Sequence, residues 1–148
     1  MRNELVVDSL MHAFGLNEVL NGVYLTVNRG EVVGILGLNG TGKTTILRSI
    51  TGELTADSIH LTIDGTVIER AYRTGLVGHL TQEPFLLRHM RVSSCVRWFV
   101  RDRRAREEIL AERRVRDYAE QRAGGLSGGE KRYAEMLMIM ALPAPYLL

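Results

Sequence analysis

One stretch of eight residues restricts the fold of this chain more than any other feature. Residues 37–44 read Gly-Leu-Asn-Gly-Thr-Gly-Lys-Thr and match the pattern Gly-x-x-x-x-Gly-Lys-Ser/Thr of phosphate-binding loops. An apolar run at residues 32–36 precedes the loop and predicts a short, buried parallel strand. Residues 45–52 carry apolar side chains at helical spacing, which predicts a helix that stops at Gly52. A strand, a glycine-rich loop and a helix in this order predict an α/β protein built around a phosphate site.

The residue types in this loop suit the chemistry of phosphate binding. Glycines allow positive φ angles, and successive N–H groups at a helix N-terminus form a concave site for an anion. Lys43 can place its charge between the β- and γ-phosphates of a nucleotide, and the Thr44 hydroxyl can ligate Mg²⁺. The alternative is an ordinary glycine turn between a strand and a helix, but two glycines at fixed offsets before Lys-Thr make that coincidence rare.

Composition and charge exclude several other classes of protein. The chain has 148 residues, 45% hydrophobic and 24% charged, which is typical of a soluble globular domain. Its net charge of +2 predicts no general affinity for nucleic acid, and its single cysteine, Cys95, excludes an internal disulfide. The first residues lack the pattern of a signal peptide, and no apolar run approaches the roughly 20 residues of a membrane span. We therefore expect any membrane-spanning part to belong to a partner.

Outside the loop, the pattern predicts further strands and then a helical region. Asn-Gly at 21–22 between two apolar runs predicts a hairpin turn, and residues 58–63 and 76–80 predict strands. Residues 92–122 contain no Gly or Pro and predict an arginine-rich helical region with three i,i+4 ion pairs, Arg103–Glu107, Arg104–Glu108 and Glu112–Arg116. We interpret this region as a solvated surface; the alternative is a docking face for another subunit or for anionic lipid headgroups.

A second glycine-rich motif, Leu-Ser-Gly-Gly-Glu at 126–130, opens the last predicted helix. It places a small hydroxyl and bare backbone at a helix N-terminus, as the first loop does. The apolar run at 134–142 predicts a buried helix body, and residues 146–148 predict the start of a strand. Together, the two glycine motifs make the chain resemble the nucleotide-binding domain of ATP-binding-cassette (ABC) proteins. Residues 37–44 resemble the family's Walker A motif, and residues 126–130 resemble its signature motif.

The resemblance covers essentially the whole chain and includes two isolated residues. Gln82, which follows an apolar strand, resembles the family's Q-loop glutamine, and Phe14 resembles the A-loop aromatic that stacks on adenine. Their plainer alternatives are a surface-loop glutamine and a core aromatic. The resemblance implies an α/β fold, namely a P-loop NTPase core with an antiparallel β edge and a helical signature subdomain. It divides the chain into a RecA-like core with its β edge at 1–84, a helical subdomain at 85–142 and the start of the Walker B strand at 143–148.

The resemblance also implies a composite site for ATP and Mg²⁺ that two such domains form when they close head-to-tail. Lys43 and Gln82 would serve catalysis, and Thr44 and Gln82 would serve the metal. The implied nucleotide-binding residues are Phe14, Asn39, Gly40, Thr41, Gly42, Lys43, Thr44 and Thr45, with Ser127, Gly128, Gly129 and Glu130 acting on a nucleotide held by the partner domain.

What the resemblance implies for function is the ATP-binding subunit of an ABC transporter. Its partners would be a second nucleotide-binding domain and transmembrane permease subunits, with no nucleic acid, and its location would be cytoplasmic at the inner face of the membrane. The alternatives are a soluble ABC-type ATPase acting on DNA or the ribosome, and a small-molecule kinase. The Walker B carboxylates that the family places after a strand like 146–148 do not occur in this sequence, so we expect this chain alone to be inactive. A smaller departure is Ile59, where many members have glycine.

Overall fold

The computed structural model describes residues 3–148, so residues 1 and 2 of the predicted segment 1–84 lie outside the described residues. The chain divides into two units: the first comprises residues up to 77 with 144–146 and 148, and the second comprises 78–143 and 147. The elements up to residue 76 are β1 (Glu4–Phe14), β2 (Asn17–Asn28), α1 (Lys43–Thr51), β3 (Ser58–Ile63), β4 (Thr66–Val67) and a 3₁₀ turn (Ala71–Arg73). The remaining elements are β5 (Val77–Gly78), α2 (Val92–Phe99), α3 (Arg103–Ala111), α4 (Arg113–Arg116), a 3₁₀ turn (Ala123–Gly125), α5 (Gly128–Met140) and β6 (Tyr146–Leu147).

The first unit is organised by an antiparallel sheet with strand order β2-β1-β3-β4. Burial alternates along most of strand β1, which lies between β2 and β3, and its Leu5, Val7 and Leu10 are at most 1% exposed, as expected for the covered face of a sheet. These side chains share one core with α1 and β3. The buried residues of this core are Leu5, Val7, Leu10, Leu20, Ile46, Ile50, Leu61, Ile63, Ala71 and Tyr146.

The predicted hairpin turn at residues 21–22 is wrong. The tight turn falls instead between Phe14 and Asn17, which pair with each other, and β2 continues through residues 21–22. Gly22 has a φ of 66°, and the pairing register shifts between the Leu10–Val23 pair and the His12–Leu20 pair. The Asn-Gly sequence therefore forms an irregularity within a strand, which uses the same left-handed backbone that a hairpin turn would require.

The predicted strand at residues 32–36 is also not formed. Residues 31–38 have no regular secondary structure, and Val32 and Leu36 are 97% and 96% exposed. A strand needs a neighbour that satisfies its backbone and covers its side chains, and no strand within residues 3–148 pairs with this segment. Residues 32–36 therefore have the apolar composition of a strand but, among residues 3–148, no neighbouring strand to pair with.

The second unit is helical, but the predicted region 92–122 is interrupted twice. Asp102 begins α3 by accepting a hydrogen bond from the Ala105 N–H at 2.7 Å, and Glu112 begins α4 by accepting from the N–H groups of Arg114 and Val115. Because Glu112 is engaged in this way, the predicted Glu112–Arg116 pair is wrong. The other two pairs form on α3, at 2.8 Å for Arg103–Glu107 and 2.9 Å for Arg104–Glu108.

Helix α5 is buried on one side only. Ala134, Met138 and Ile139 are at most 5% exposed, whereas Met136 and Met140 are 37% and 61% exposed, so the predicted all-round burial is only partly correct. The predicted strand at 146–148 is confirmed as β6, which pairs with β5, and the predicted strand at 76–80 is reduced to β5. None of the helices in residues 3–148 is both long and apolar enough to cross a membrane.

Candidate functional site

The phosphate loop in the first unit depends on glycine backbone at its tip and at its end. Gly40 and Gly42 have φ angles of 84° and 87°, in the left-handed region that disfavours other residues. A Cβ on Gly42 would lie 2.8 Å from Leu20 Cδ2 and 3.0 Å from Val19 Cγ1, so β2 leaves no room for a side chain here. The loop can therefore adopt this path only with glycine at position 42.

Lys43 is held over the loop by main-chain oxygens. Its Nζ donates hydrogen bonds to the carbonyl oxygens of Gly37 and Leu38 at 2.9 and 2.6 Å. The Thr41 hydroxyl also donates to the Leu38 carbonyl, at 2.9 Å. These contacts curl the loop back on itself and place a positive charge at its centre, where an anion would be attracted.

The first turn of α1 offers unpaired backbone donors to such an anion. Its N-cap, Gly42, has no side chain to cap the helix, and the first intrahelical bond runs from the Ile46 N–H to the Gly42 carbonyl at 2.9 Å. The preceding N–H groups, of Lys43, Thr44 and Thr45, therefore have no partner inside the helix. With the positive end of the helix dipole, they form a donor set that fits phosphate oxygens.

The Thr44 side chain, at the same turn, is exposed. Its hydroxyl is the kind of oxygen ligand that Mg²⁺ accepts alongside phosphate oxygens. Asn39 and Gly40 lie exposed at the tip of the loop. The residues of the first unit thus fit a phosphate group with its magnesium ion.

Phe14 ends β1, and its ring is 53% exposed, so it is not part of the core. It packs edge-to-face against His12, with ring centroids 4.6 Å apart and an interplanar angle of 88°. The exposed part of the ring remains available for stacking, which is the contact that the family resemblance implies for Phe14.

In the second unit, the signature motif forms a capping box at the start of α5. Ser127 is the N-cap, and its Oγ accepts a hydrogen bond from the Glu130 N–H at 3.3 Å. Glu130 Oε2 in turn accepts from the Ser127 N–H at 2.8 Å and from the Ser127 hydroxyl at 2.6 Å. These bonds to Ser127, the hydroxyl first, hold the pKa of the Glu130 carboxyl below its usual range.

The glycines of the motif are exposed, and the turn behind them is anchored. Gly128 and Gly129 are exposed, and no atom would contact a Cβ added at either position. The buried Tyr118 hydroxyl donates to the Glu130 carbonyl at 3.3 Å, and burial raises the pKa of Tyr118 to about 12. The first turn of α5 is therefore held by Tyr118 on its buried side, and Gly128 and Gly129 leave its other side open to solvent.

Gln82 lies exposed in an irregular segment of the second unit. Two residues of α5 hold this segment and were missed by the sequence analysis: Arg132 and Glu135. The signal that could have revealed Glu135 is a carboxyl group inside the apolar run that follows the signature motif, since such a group needs a buried partner. The phosphate loop and Phe14 thus belong to the first unit, and Gln82 and the signature motif belong to the second.

Comparison with known families gives one match that covers most of the chain. The family model for ABC transporters matches residues 20–148. The chain is also similar to a nucleotide-free ATP-binding cassette from an ABC transporter, with a TM-score of 0.81, 24% identity, and coverage of 99% of this chain and 68% of that one. This likeness confirms the predicted P-loop NTPase fold.

Relatives of similar sequence carry related descriptions. The chain is 34% identical to an uncharacterised ABC transporter ATP-binding protein of Rhizobium meliloti, covering 97% of this chain and 58% of the relative. It is 32% identical to the sulfate/thiosulfate import ATP-binding protein CysA of Methylococcus capsulatus, covering 96% and 44%. It is 30% identical to the lipopolysaccharide export system ATP-binding protein LptB of Haemophilus influenzae, covering 97% and 65%. The chain therefore spans only about half to two thirds of the length of these relatives.

Proposed function

The chain belongs to the ABC transporter family of ATP-binding proteins, and from this premise we propose that it binds ATP with Mg²⁺ as part of a transport ATPase. The observation that carries this proposal is the geometry of the phosphate loop. Lys43 Nζ sits on the carbonyls of Gly37 and Leu38, and the uncapped first turn of α1 presents its N–H groups beside it. A phosphate chain would replace those carbonyls as the partner of Lys43 and accept the free N–H groups.

The other residues of the first unit would complete nucleotide binding. The Thr44 hydroxyl would hold Mg²⁺, Asn39 and Gly40 at the loop tip would line the phosphates, and Phe14 would stack on the base. By analogy, base–aromatic stacking contributes about 1–3 kcal/mol per base in proteins that bind single-stranded nucleic acid. Lys43 neutralises charge that builds up on the phosphate oxygens during transfer.

The signature motif supports a second proposal, that nucleotide is shared between two domains. Ser127, Gly128 and Gly129 are exposed at the N-terminus of a 13-residue helix, where backbone N–H groups and the helix dipole favour an anion. In the composite arrangement they would contact the γ-phosphate bound by a second nucleotide-binding domain. Closure of that head-to-tail dimer on ATP would drive transport through transmembrane permease subunits at the inner face of the membrane.

Turnover is proposed for the whole protein and not for these 148 residues alone. The chain spans 44–65% of the relatives described above, and the acidic pair expected after β6 does not occur in its sequence. Gln82 and Lys43 would position water and phosphate, but general-base and metal-ligating carboxylates would still be required. We therefore expect the 148-residue chain to bind ATP and to release no phosphate that depends on Ser127.

The test of this proposal is the affinity for ATP·Mg²⁺, measured by isothermal titration calorimetry for the wild type and for Lys43→Ala. Loss of a charge-assisted contact worth about 1.5–3 kcal/mol should weaken binding by about 10- to 100-fold. Lys131→Ala is the matched control, because Lys131 is the only other lysine in the chain and belongs to α5. Equal affinity of Lys43→Ala and the wild type would overturn the proposal.

A further inference from the structure

A buried carboxyl group on α5 holds the segment that contains Gln82. Glu135 is 0% exposed, and its Oε1 accepts hydrogen bonds from the N–H groups of Phe85 and Leu86 at 2.6 and 2.9 Å. Its Oε2 lies 3.8 Å from Arg132 Nη1 and has no hydrogen-bond partner. Burying a carboxyl group costs free energy unless hydrogen-bond donors or a cation compensate it, and here the two N–H groups and Arg132 do so.

Arg132, one turn earlier on the same helix, holds the other side of the segment. Its guanidinium donates to the carbonyl oxygens of both Leu80 and Thr81, the latter through Nη1. Two adjacent carbonyls are thus bound by one planar group, which fixes the direction of the backbone as well as its position.

Gln82 therefore lies between two anchors that belong to one helix. Residues 79–87 contain no helix or strand, so their path depends on side-chain contacts rather than on a backbone ladder. The Thr81 hydroxyl adds one local bond, to the Glu83 carbonyl at 2.6 Å. The hydrogen bonds of Leu80, Thr81, Phe85 and Leu86 described above run to α5, the same helix whose first turn is the signature motif, and the Phe85 ring also stacks on Phe99 of α2.

We infer that Arg132 and Glu135 are positioning residues that join the Gln82 segment and the signature helix into one cooperative unit. The inference deepens the proposed function, on which the roles of Gln82 and Ser127 rest. Gln82 and the first turn of α5, which lies about two turns from Glu135 along the helix, would then move together. Neither Arg132 nor Glu135 needs to touch the nucleotide for this to occur.

Amide hydrogen exchange, followed by NMR in the 148-residue chain, tests the anchor without using ATP. In the wild type, the exchange rates of the Phe85 and Leu86 amides should depend on urea concentration in the same way as those of core amides of α5. The reason is that the Gln82 segment and α5 open together. Glu135→Gln keeps the volume but replaces the carboxyl oxygen that accepts both bonds with an amide oxygen, and it removes the ion pair with Arg132. We expect exchange of these two amides to accelerate by about five- to tenfold and to lose its urea dependence.

Glu107→Gln is the matched control, since it makes the same change on the exposed surface of α3. Unchanged exchange at Phe85 and Leu86 in Glu135→Gln would overturn the inference. So would equal acceleration at all amides of the second unit, such as Val96, because that pattern would indicate a general loss of stability. If Glu135→Ala does not fold, the isosteric Gln variant still decides the question.

The outcome is separable from that of the proposed function. If Lys43→Ala leaves ATP affinity unchanged while Glu135→Gln frees the two amides, the anchor stands and the nucleotide proposal fails. If ATP binding responds to Lys43→Ala and the amides do not respond to Glu135→Gln, the nucleotide proposal stands and the anchor is wrong.

Discussion

At the scale of single residues, a polar cluster in the first unit should make stability depend on pH. Asp64 accepts hydrogen bonds from the Arg29 guanidinium and from the Tyr146 hydroxyl, the latter at 2.8 Å. These contacts, that of Arg29 first, hold the pKa of Asp64 below its usual range. Burial, followed by the Asp64 contact, raises the pKa of Tyr146, so both groups keep their protonation state at neutral pH.

We predict that Asp64→Asn lowers the free energy of unfolding at pH 7 and that its effect fades in acid. A carboxyl group with a lowered pKa stabilises the fold above its unfolded pKa, near 4, and this contribution is lost as pH falls through the lower folded pKa. Asn is the suitable substitute, because position 64 has a φ of 52° and Asn tolerates the left-handed region.

Urea denaturation of the wild type and Asp64→Asn between pH 7 and pH 3 measures this effect. Asp117→Asn serves as the control, because Asp117 is exposed in the second unit. A difference between wild type and Asp64→Asn that stayed constant down to pH 3 would contradict the assignment of the ion pair.

At the scale of elements, the capping box should set the stability of α5. We predict that Ser127→Ala lowers the free energy of unfolding by about 0.5–2 kcal/mol, because it removes the N-cap acceptor of the Glu130 N–H. Ser127→Thr should restore most of this loss, since Thr is also an N-cap residue and keeps a hydroxyl that can donate to Glu130 Oε2. Chemical denaturation measures both variants, and equal stabilities for Ala and Thr would show that the cap contributes nothing.

Elements with local signals were predicted well from the sequence. The predicted end of helix α1 at Gly52 is confirmed, whereas the helix begins two residues earlier than predicted, at Lys43 after the N-cap Gly42. Elements that depend on a distant partner or on a competing local bond were not predicted correctly. Residues 32–36 carry the composition of a strand without a paired neighbour, and Glu112 caps α4 instead of pairing with Arg116.

The contacts of the candidate site also fall into two groups, those between residues close in the sequence and those between distant residues. The loop around Lys43 and the capping box at Ser127 are encoded within a few residues, so their geometry could be expected from the sequence. The contacts of Glu135 with Phe85 and Leu86 join residues that are 50 and 49 positions apart. The sequence shows the carboxyl group, but which amides it binds could not be predicted from the sequence alone.

At the scale of the whole molecule, the uncovered segment 31–38 should affect solubility. Val32 and Leu36 are almost fully exposed, and each apolar side chain of this size gains about 1.5–3 kcal/mol on burial. We predict that the 148-residue chain self-associates or binds an apolar dye through this segment, and that Val32→Lys with Leu36→Lys weakens both effects.

Sedimentation velocity and dye fluorescence measure this prediction across a range of protein concentrations. Leu16→Lys is the matched control, because Leu16 is equally exposed but lies in the turn between β1 and β2, outside segment 31–38. Equal dye binding by the wild type and the double lysine variant would show that the segment is already covered in solution.

The bond between the Ser127 hydroxyl and Glu130 has a consequence for any ligand that approaches the signature motif. A serine hydroxyl carries one proton, and here that proton is directed to Glu130 Oε2. An arriving phosphate would therefore compete with Glu130 Oε2 for that one proton. Recognition at this helix end would then require the Ser127 hydroxyl to turn away from Glu130, with loss of the 2.6 Å bond between them.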